Sequence, residues 1–332
     1  MKTFEDKIAV VTGAGTGMGR ELACQLASEG CHVAFCEVIV ENMVETERLC
    51  REIALPGTRI TAHECDVSDE AQVIAFRDAV KKQHDTTHIN LLFNNAGVGG
   101  GGSFILDDRT EWDKTFAVDW SGVYYNTRAF MPMLIAGTEG HIINTSSVNG
   151  FWACLGNDVA HTSYSSAKFA VKGFTEALQI DLRLNAPHVK AYLVMPGHIG
   201  TSIGINSRKI HGGPEADDLT AEDLAAMRER MVGGGMATED TTDDQLREMV
   251  RHLGEDFRDN APCSSAQAAT IILDGVRNGQ WRILVGEDAK MLDQMVRTHA
   301  ETVYDATFME TLQGTGELGA LFSEKGPDDP RE

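Results

Sequence analysis

Residues 8–19 read Ile8-Ala9-Val10-Val11-Thr12-Gly13-Ala14-Gly15-Thr16-Gly17-Met18-Gly19. A short apolar run enters a turn with glycine at every second position. Beyond it Met18, Leu22, Ala23, Leu26 and Ala27 recur at helical spacing, and Gly30 stands where a helix C-cap is expected. Glycines at such a turn let the backbone approach a diphosphate closely. The helix that follows offers unpaired N–H groups and a partial positive charge. A glycine-rich turn alone discriminates little; its place between a strand and a helix supplies the context the motif requires. A P-loop needs Gly-Lys-Ser/Thr, which Arg20-Glu21 does not provide.

Outward from this turn the pattern repeats. Residues 7–11, 32–36, 59–63, 90–93, 141–145 and 190–194 read as strands, separated by helix-length amphipathic stretches. Alternation of this kind predicts an α/β fold: a doubly wound parallel sheet with helices on both faces. Residues 201–262 break the rhythm and read as a long insertion, with short helices expected near 221–231 and 243–253. A helix over 264–278, a strand over 281–285 and a helix over 288–311 complete one domain spanning 1–313. The Gly-, Pro- and acid-rich stretch 314–332 reads as a flexible tail.

The chain has 332 residues with Lys+Arg 29 and Asp+Glu 50, a formal net charge of −21. Such a surface is repelled by phosphate backbones and anionic membranes, so neither nucleic acid nor membrane is an expected partner. No apolar run approaches the roughly 20 residues that span a bilayer, and the opening residues lack the pattern of a signal peptide. The seven cysteines form no Cys-x-x-Cys pair and no Cys/His cluster with zinc spacing, so no metal is expected. They read as small buried hydrophobes in a reducing cytoplasm.

The second strand ends at Glu37. An acid there accepts hydrogen bonds from the adenosine ribose hydroxyls and repels a 2′-phosphate. No Arg or Lys adjoins it, and Thr16 occupies a turn position where a basic residue would meet that phosphate. The expected cofactor is therefore NAD rather than NADP, unless Glu37 is merely a solvated strand end.

Three further stretches join the turn: Asn94-Asn95-Ala96-Gly97, Tyr164-Ser165-Ser166-Ala167-Lys168 and Pro196-Gly197-His198-Ile199-Gly200-Thr201. Together, in this order, they resemble the short-chain dehydrogenase/reductase family across residues 5–200. Tyr164 and Lys168, four apart on an expected helix, share a face. The neighbouring ammonium and the positive nicotinamide ring are expected to lower the tyrosine pKa and make it a general acid/base. The resemblance implies that Ser147 holds the substrate oxygen, with Ser146 a structural partner. It also puts Asp119 where the family usually has Asn, in a role that relies mainly on the main-chain carbonyl. By position, Gly13, Gly15, Thr16, Gly17, Met18, Gly19, Glu37, Asp66, Val67, Asn94, Ala96, Gly97, Tyr164, Lys168, Pro196, Gly197, Ile199 and Thr201 are implied to contact the cofactor. Asp66 competes with Ser68 as a helix N-cap.

The resemblance implies an NAD-dependent oxidoreductase interconverting a secondary alcohol and a ketone. Two other readings are an epimerase or dehydratase on the same scaffold and a non-catalytic NAD-binding sensor. Phe151, Trp152, Cys154 and Leu155 either wall the substrate pocket or are core. Residues 201–262 are expected to form a lid over the site or, in the competing reading, a surface decoration. The helices at 110–135 and 163–184 are implied to pair with their copies in a homodimer or homotetramer.

Overall fold

The computed structural model describes residues 1–154, 160–214, 216–233 and 237–313. The expectations for Leu155 and for the tail 314–332 lie outside these residues. In chain order the first half comprises β1 (Ile8–Thr12), α1 (Gly17–Ser28), β2 (His32–Glu37), α2 (Val40–Ile53), β3 (Ile60–Glu64), α3 (Glu70–Gln83), β4 (Leu91–Asn94), α4 (Arg109–Phe116), α5 (Gly122–Ile135) and β5 (Gly140–Thr145). Then come α6 (Thr162–Asn185), β6 (Val189–Pro196), β7 (Ile199–Gly200), α7 (Ile203–Ile210), α8 (Ala221–Gly233), α9 (Asp243–Asp259), β8 (Cys263–Ser264), α10 (Ser265–Arg277), β9 (Arg282–Val285), α11 (Glu287–Thr298) and α12 (Ala306–Gln313).

Seven strands form a parallel sheet in the order β3-β2-β1-β4-β5-β6-β9, the doubly wound arrangement expected from the sequence. Both faces are covered, which is why β1, β4 and β5 are buried along their whole length. The strand period of two sends Ala9 and Val11 into one core with Leu22, Leu26 and Ile272. It sends Ile8 and Val10 into the other with Phe76, Phe130 and Leu178. The strand order reverses between β1 and β4, so the ends of these strands open a crevice, the usual ligand position in such sheets.

Two smaller clusters flank the main body. Leu219, Leu224, Met231 and Leu246 knit α8 to α9 and the segment before them, giving the insertion its own core. Trp152 packs with Leu292, Val303, Phe308, Met309 and Leu312, so the C-terminal helices buttress the segment after β5. This cluster explains one departure from expectation. The helix expected over 288–311 is two helices, α11 and α12, joined by turns. Trp152 Nε1 donates to the Val303 carbonyl at 3.0 Å and Ala153 N donates to the Tyr304 hydroxyl at 3.2 Å. The joining turns thus place residues 303 and 304 against 152 and 153. A second departure is the cap of α3. Neither Asp66 nor Ser68 caps it; Asp69 does, accepting from Ala71 N and Gln72 N. No described helix is long and apolar enough to cross a membrane.

Candidate active site

A cavity of about 500 Å³ opens at the crevice between the ends of β1 and β4. Its walls bring together Gly13, Thr16, Gly17 and Met18 of the turn, Glu37, Asp66, Val67, Ala96, Gly97 and Thr201. Gly13 and Gly17 have φ of +63° and +56°, a conformation that side-chain-bearing residues rarely adopt, so the turn needs glycine there. Thr12 Oγ1 accepts from Asn95 N at 3.0 Å and Ala96 N at 3.1 Å, locking the turn to the segment after β4.

Glu37 is fixed at the mouth of the cleft. Its Oε2 accepts from Gly15 N at 2.8 Å, and its Oε1 from Val38 N at 2.8 Å and Ile39 N at 3.1 Å. It is therefore an anchored carboxylate rather than a solvated strand end. Asp66 Oδ1 accepts from Ser68 N and Oγ, which fixes it at the end of β3. Asn94 does not turn its side chain to the cleft. It is buried, donating to Thr127 Oγ1 and Asn144 Oδ1, and Asn95 lines the cavity in its place.

Behind Gly97, which lines the cleft, stands a second group. The run from α4 to α5 passes through a π-helical turn, Ala117–Ser121, a form common at functional sites. It carries the fully buried Asp119, whose Oδ1 lies 3.1 Å from Lys168 Nζ and accepts from Val98 N at 3.2 Å. Lys168 Nζ also donates to the Thr145 carbonyl at 3.4 Å and sits 5.2 Å from the centre of the Tyr164 ring. Ser147 lies near enough to Tyr164 to favour its ionised form, and its Oγ accepts from Asn149 N at 3.1 Å. Ser146 Oγ donates to the Lys168 carbonyl at 2.8 Å, the structural part expected for it. Gly97 joins this group to the cleft: a methyl there would lie 2.6 Å from Asp119 Oδ1 and 3.3 Å from Lys168 Nζ.

The electrostatics depart from the sequence reading at Tyr164. Burial pushes its phenol above the ordinary value, and Lys168 and Ser147, which pull down, do not overcome it. Asp119 adds to the rise because its carboxylate offsets the ammonium. Burial works against the Lys168 ammonium, but Asp119 and Tyr164 outweigh it and hold the lysine above its ordinary value. Burial pushes the Asp119 carboxyl up against the pull of Lys168.

A family model described as short chain dehydrogenase matches residues 7–211. The chain belongs to this family. Short-chain dehydrogenase relatives extend the likeness past residue 211. A putative oxidoreductase, SadH, of Mycobacterium tuberculosis is 32% identical over 297 residues, covering 90% of this chain and 92% of its own. Dehydrogenase/reductase SDR family member 11 of Homo sapiens is 31% identical, covering 69% of this chain and 86% of its own. A short-chain dehydrogenase/reductase from Burkholderia phymatum, solved in complex with NAD, superposes with a TM-score of 0.70 at 27% identity, covering 99% and 100% of the two chains. A metagenomic short-chain oxidoreductase solved with NADP gives 0.51 at 28% identity, covering 76% and 91%.

Seen as a short-chain dehydrogenase, the chain also shows cleft residues that the motifs did not single out. Val98, Lys114 and Val118 line the cavity from the segment after β4, α4 and the π-helical turn. Ile203, Asn206, Lys209 and Ile210 line it from α7, the first helix of the insertion. Only their position just after Thr201 hinted at this. Of the residues after β5, Trp152 is core at 1% exposed, whereas Phe151 and Cys154 are half-buried against the same cluster.

Proposed function

We propose that the chain is an NAD-dependent oxidoreductase that interconverts a secondary alcohol and a ketone, with Tyr164 as general acid/base. The observation that carries this reading is the grouping of Ser147, Tyr164 and Lys168 behind Gly97, which lines the same cleft as the glycine turn. The cleft fits a dinucleotide: it has the volume, backbone N–H groups at the start of α1, and an anchored carboxylate at the adenosine end. A bound nicotinamide supplies hydride acceptance from an alcohol carbon, or hydride return to a carbonyl carbon.

The rest is done by side chains of this chain. The Ser147 hydroxyl orients the substrate oxygen. The Tyr164 hydroxyl gives its proton to that oxygen in reduction and, as phenolate, takes it back in oxidation. Because burial keeps the phenol above its ordinary value, Tyr164 stands protonated at neutral pH and ready to donate. Lys168 keeps a positive charge beside the phenol and donates to the nicotinamide ribose hydroxyls. Asp119 holds Lys168 in place. Asp66, Val67, Ala96 and Gly97 flank the adenosine half, and Pro196, Gly197, Ile199 and Thr201 the nicotinamide half.

NAD is favoured over NADP because Glu37 presents its carboxylate where a 2′-phosphate would sit; the NAD-bound Burkholderia phymatum relative is in keeping with this. The same reading makes the protein a cytoplasmic homo-oligomer. The test is spectrophotometric: purified protein, NAD and a panel of secondary alcohols, followed at the NADH absorbance. NADH formation with at least one alcohol is expected. No turnover with any alcohol, or with ketones and NADH, would leave the scaffold to other chemistry.

A further inference from the structure

We propose that Lys209, carried on α7, supplies the positive charge that meets the diphosphate of the bound dinucleotide. This rests on the cofactor reading above and adds a residue to it.

The cleft is poorly furnished with cations. Among the described residues that line it, Glu37, Glu41 and Asp66 are acids, and only Lys114 and Lys209 are basic. A dinucleotide with two phosphate charges must enter this site on a chain of net charge −21. The backbone N–H groups of the glycine turn offset part of that charge. Arg20, at the start of α1, is turned away: it donates to the Gly15 carbonyl and to Thr46 Oγ1. Lys114 is committed as well, since its Nζ donates to the Ile210 carbonyl at 2.6 Å, at the C-terminal end of α7. Lys209 is left. It makes no ion pair among the described residues, and it faces the cavity.

The placement of α7 is specific. Asn206 Nδ2 donates to Thr16 Oγ1 at 3.0 Å, so this helix lies against the phosphate turn itself. Ser207 Oγ accepts from Gly99 N at 2.7 Å, and His211 Nε2 donates to the Gly99 carbonyl at 2.9 Å. The helix is thus bonded to both banks of the cleft. Lys209 follows Asn206 by three residues, on the same face of the helix one turn further along. A flexible four-carbon stem with a compact charge suits a point contact to phosphate from such a roof.

The experiment measures binding, not turnover. NADH affinity is followed by its fluorescence, and ADP and adenosine by calorimetry, for wild type, Lys209→Ala and Lys209→Arg at several salt concentrations. Lys209→Ala is expected to weaken NADH and ADP about tenfold, the scale of one charge-assisted hydrogen bond. It should also flatten their salt dependence and leave adenosine, which lacks the phosphates, unchanged. Lys209→Arg should restore most of the affinity. Unchanged NADH and ADP affinity in Lys209→Ala overturns the proposal, as does an equal loss for adenosine, which would mean a packing role. If wild type binds no NADH at all, the cofactor reading itself falls and the proposal with it.

Discussion

Asp119 Oδ1 lies 3.1 Å from Lys168 Nζ in a pocket where both side chains are almost wholly buried. The carboxylate and the ammonium therefore act on Tyr164 as a nearly neutral pair rather than as a lone cation. Burial holds the tyrosine above its ordinary pKa, and a lysine one helical turn away, offset in part by Asp119, does not overcome it. Beside the main-chain role expected of Asp119, its side chain grips the lysine. The backbone N–H of Val98 shares the same oxygen, and Gly97 leaves room for the contact.

Replacing Asp119 by Asn should move the pH profile. Alcohol oxidation needs Tyr164 as phenolate, so its rate rises with pH through the tyrosine pKa. Facing the Asp119–Lys168 pair are Tyr164 and, more distantly, His211. With the carboxylate gone, Lys168 is no longer offset and the Tyr164 pKa falls. The rising limb of kcat for oxidation should shift to lower pH in Asp119→Asn. A shift to higher pH, or none, contradicts the assignment.

Cofactor choice should follow Glu37. The double change Glu37→Ser, Val38→Arg removes the anchored carboxylate and adds a cation at an exposed neighbouring position. The ratio of kcat/KM for NADP to that for NAD should rise by about tenfold or more, the scale of adding one charge-assisted hydrogen bond and removing one repulsion. A wild-type preference for NADP would contradict the role given to Glu37.

Three histidines make stability depend on mildly acid pH. Burial lowers His84, His141 and His161 to about 4 from 6.5. All three are neutral in the folded chain between those values and charged in the unfolded chain. Their folded pKa values are depressed, so unfolding takes up protons and stability is lost as pH falls from 6.5 toward 4. Urea midpoints should fall across this window, with an uptake of about two to three protons per chain on unfolding near pH 5.5 from these groups. A flat midpoint between pH 7 and 5 would show that they are not neutral in the native state.

The proposed pairing of copies would use an exposed apolar face. Phe169, Ile180 and Leu184 recur at helical spacing along α6 and are exposed, as is Tyr124 on α5. Val123, Phe130 and Leu178 on the same two helices are taken up by the core. Light scattering at micromolar concentration should give twice or four times the chain mass, and Phe169→Asp with Leu184→Asp should lower it. A monomeric wild type would rule out pairing through this face.

Much of this architecture was legible in the residues. The seven strands of the main sheet are legible to within one or two residues because a sheet covered on both faces shows as short apolar runs bounded by turn residues, whereas the two-residue strands β7 and β8 leave no such signal. Ser147, Tyr164 and Lys168 could be singled out through the family resemblance, and Tyr164 and Lys168 share a helix face because they stand four residues apart. What escaped depends on contacts distant in sequence. Nothing local to residues 299–305 announces the break between α11 and α12, which Trp152 imposes from across the fold. Asn94 and Asn95 are indistinguishable as residue types, and only the pleat decides which is buried against Thr127 and which meets the cleft. The rise at Tyr164 was missed because the sequence shows a lysine four residues away and hides the burial and the acid that offset it.

The most direct measurement is made on Tyr164→Phe, which removes one oxygen and little else. NADH binding by fluorescence and turnover at the NADH absorbance should be followed on the same preparation. Affinity for NADH should stay within a few-fold of wild type, while kcat drops by about 10²–10⁴, the scale of general acid–base catalysis. Retention of more than about a tenth of the wild-type kcat would contradict Tyr164 as the proton-transferring group.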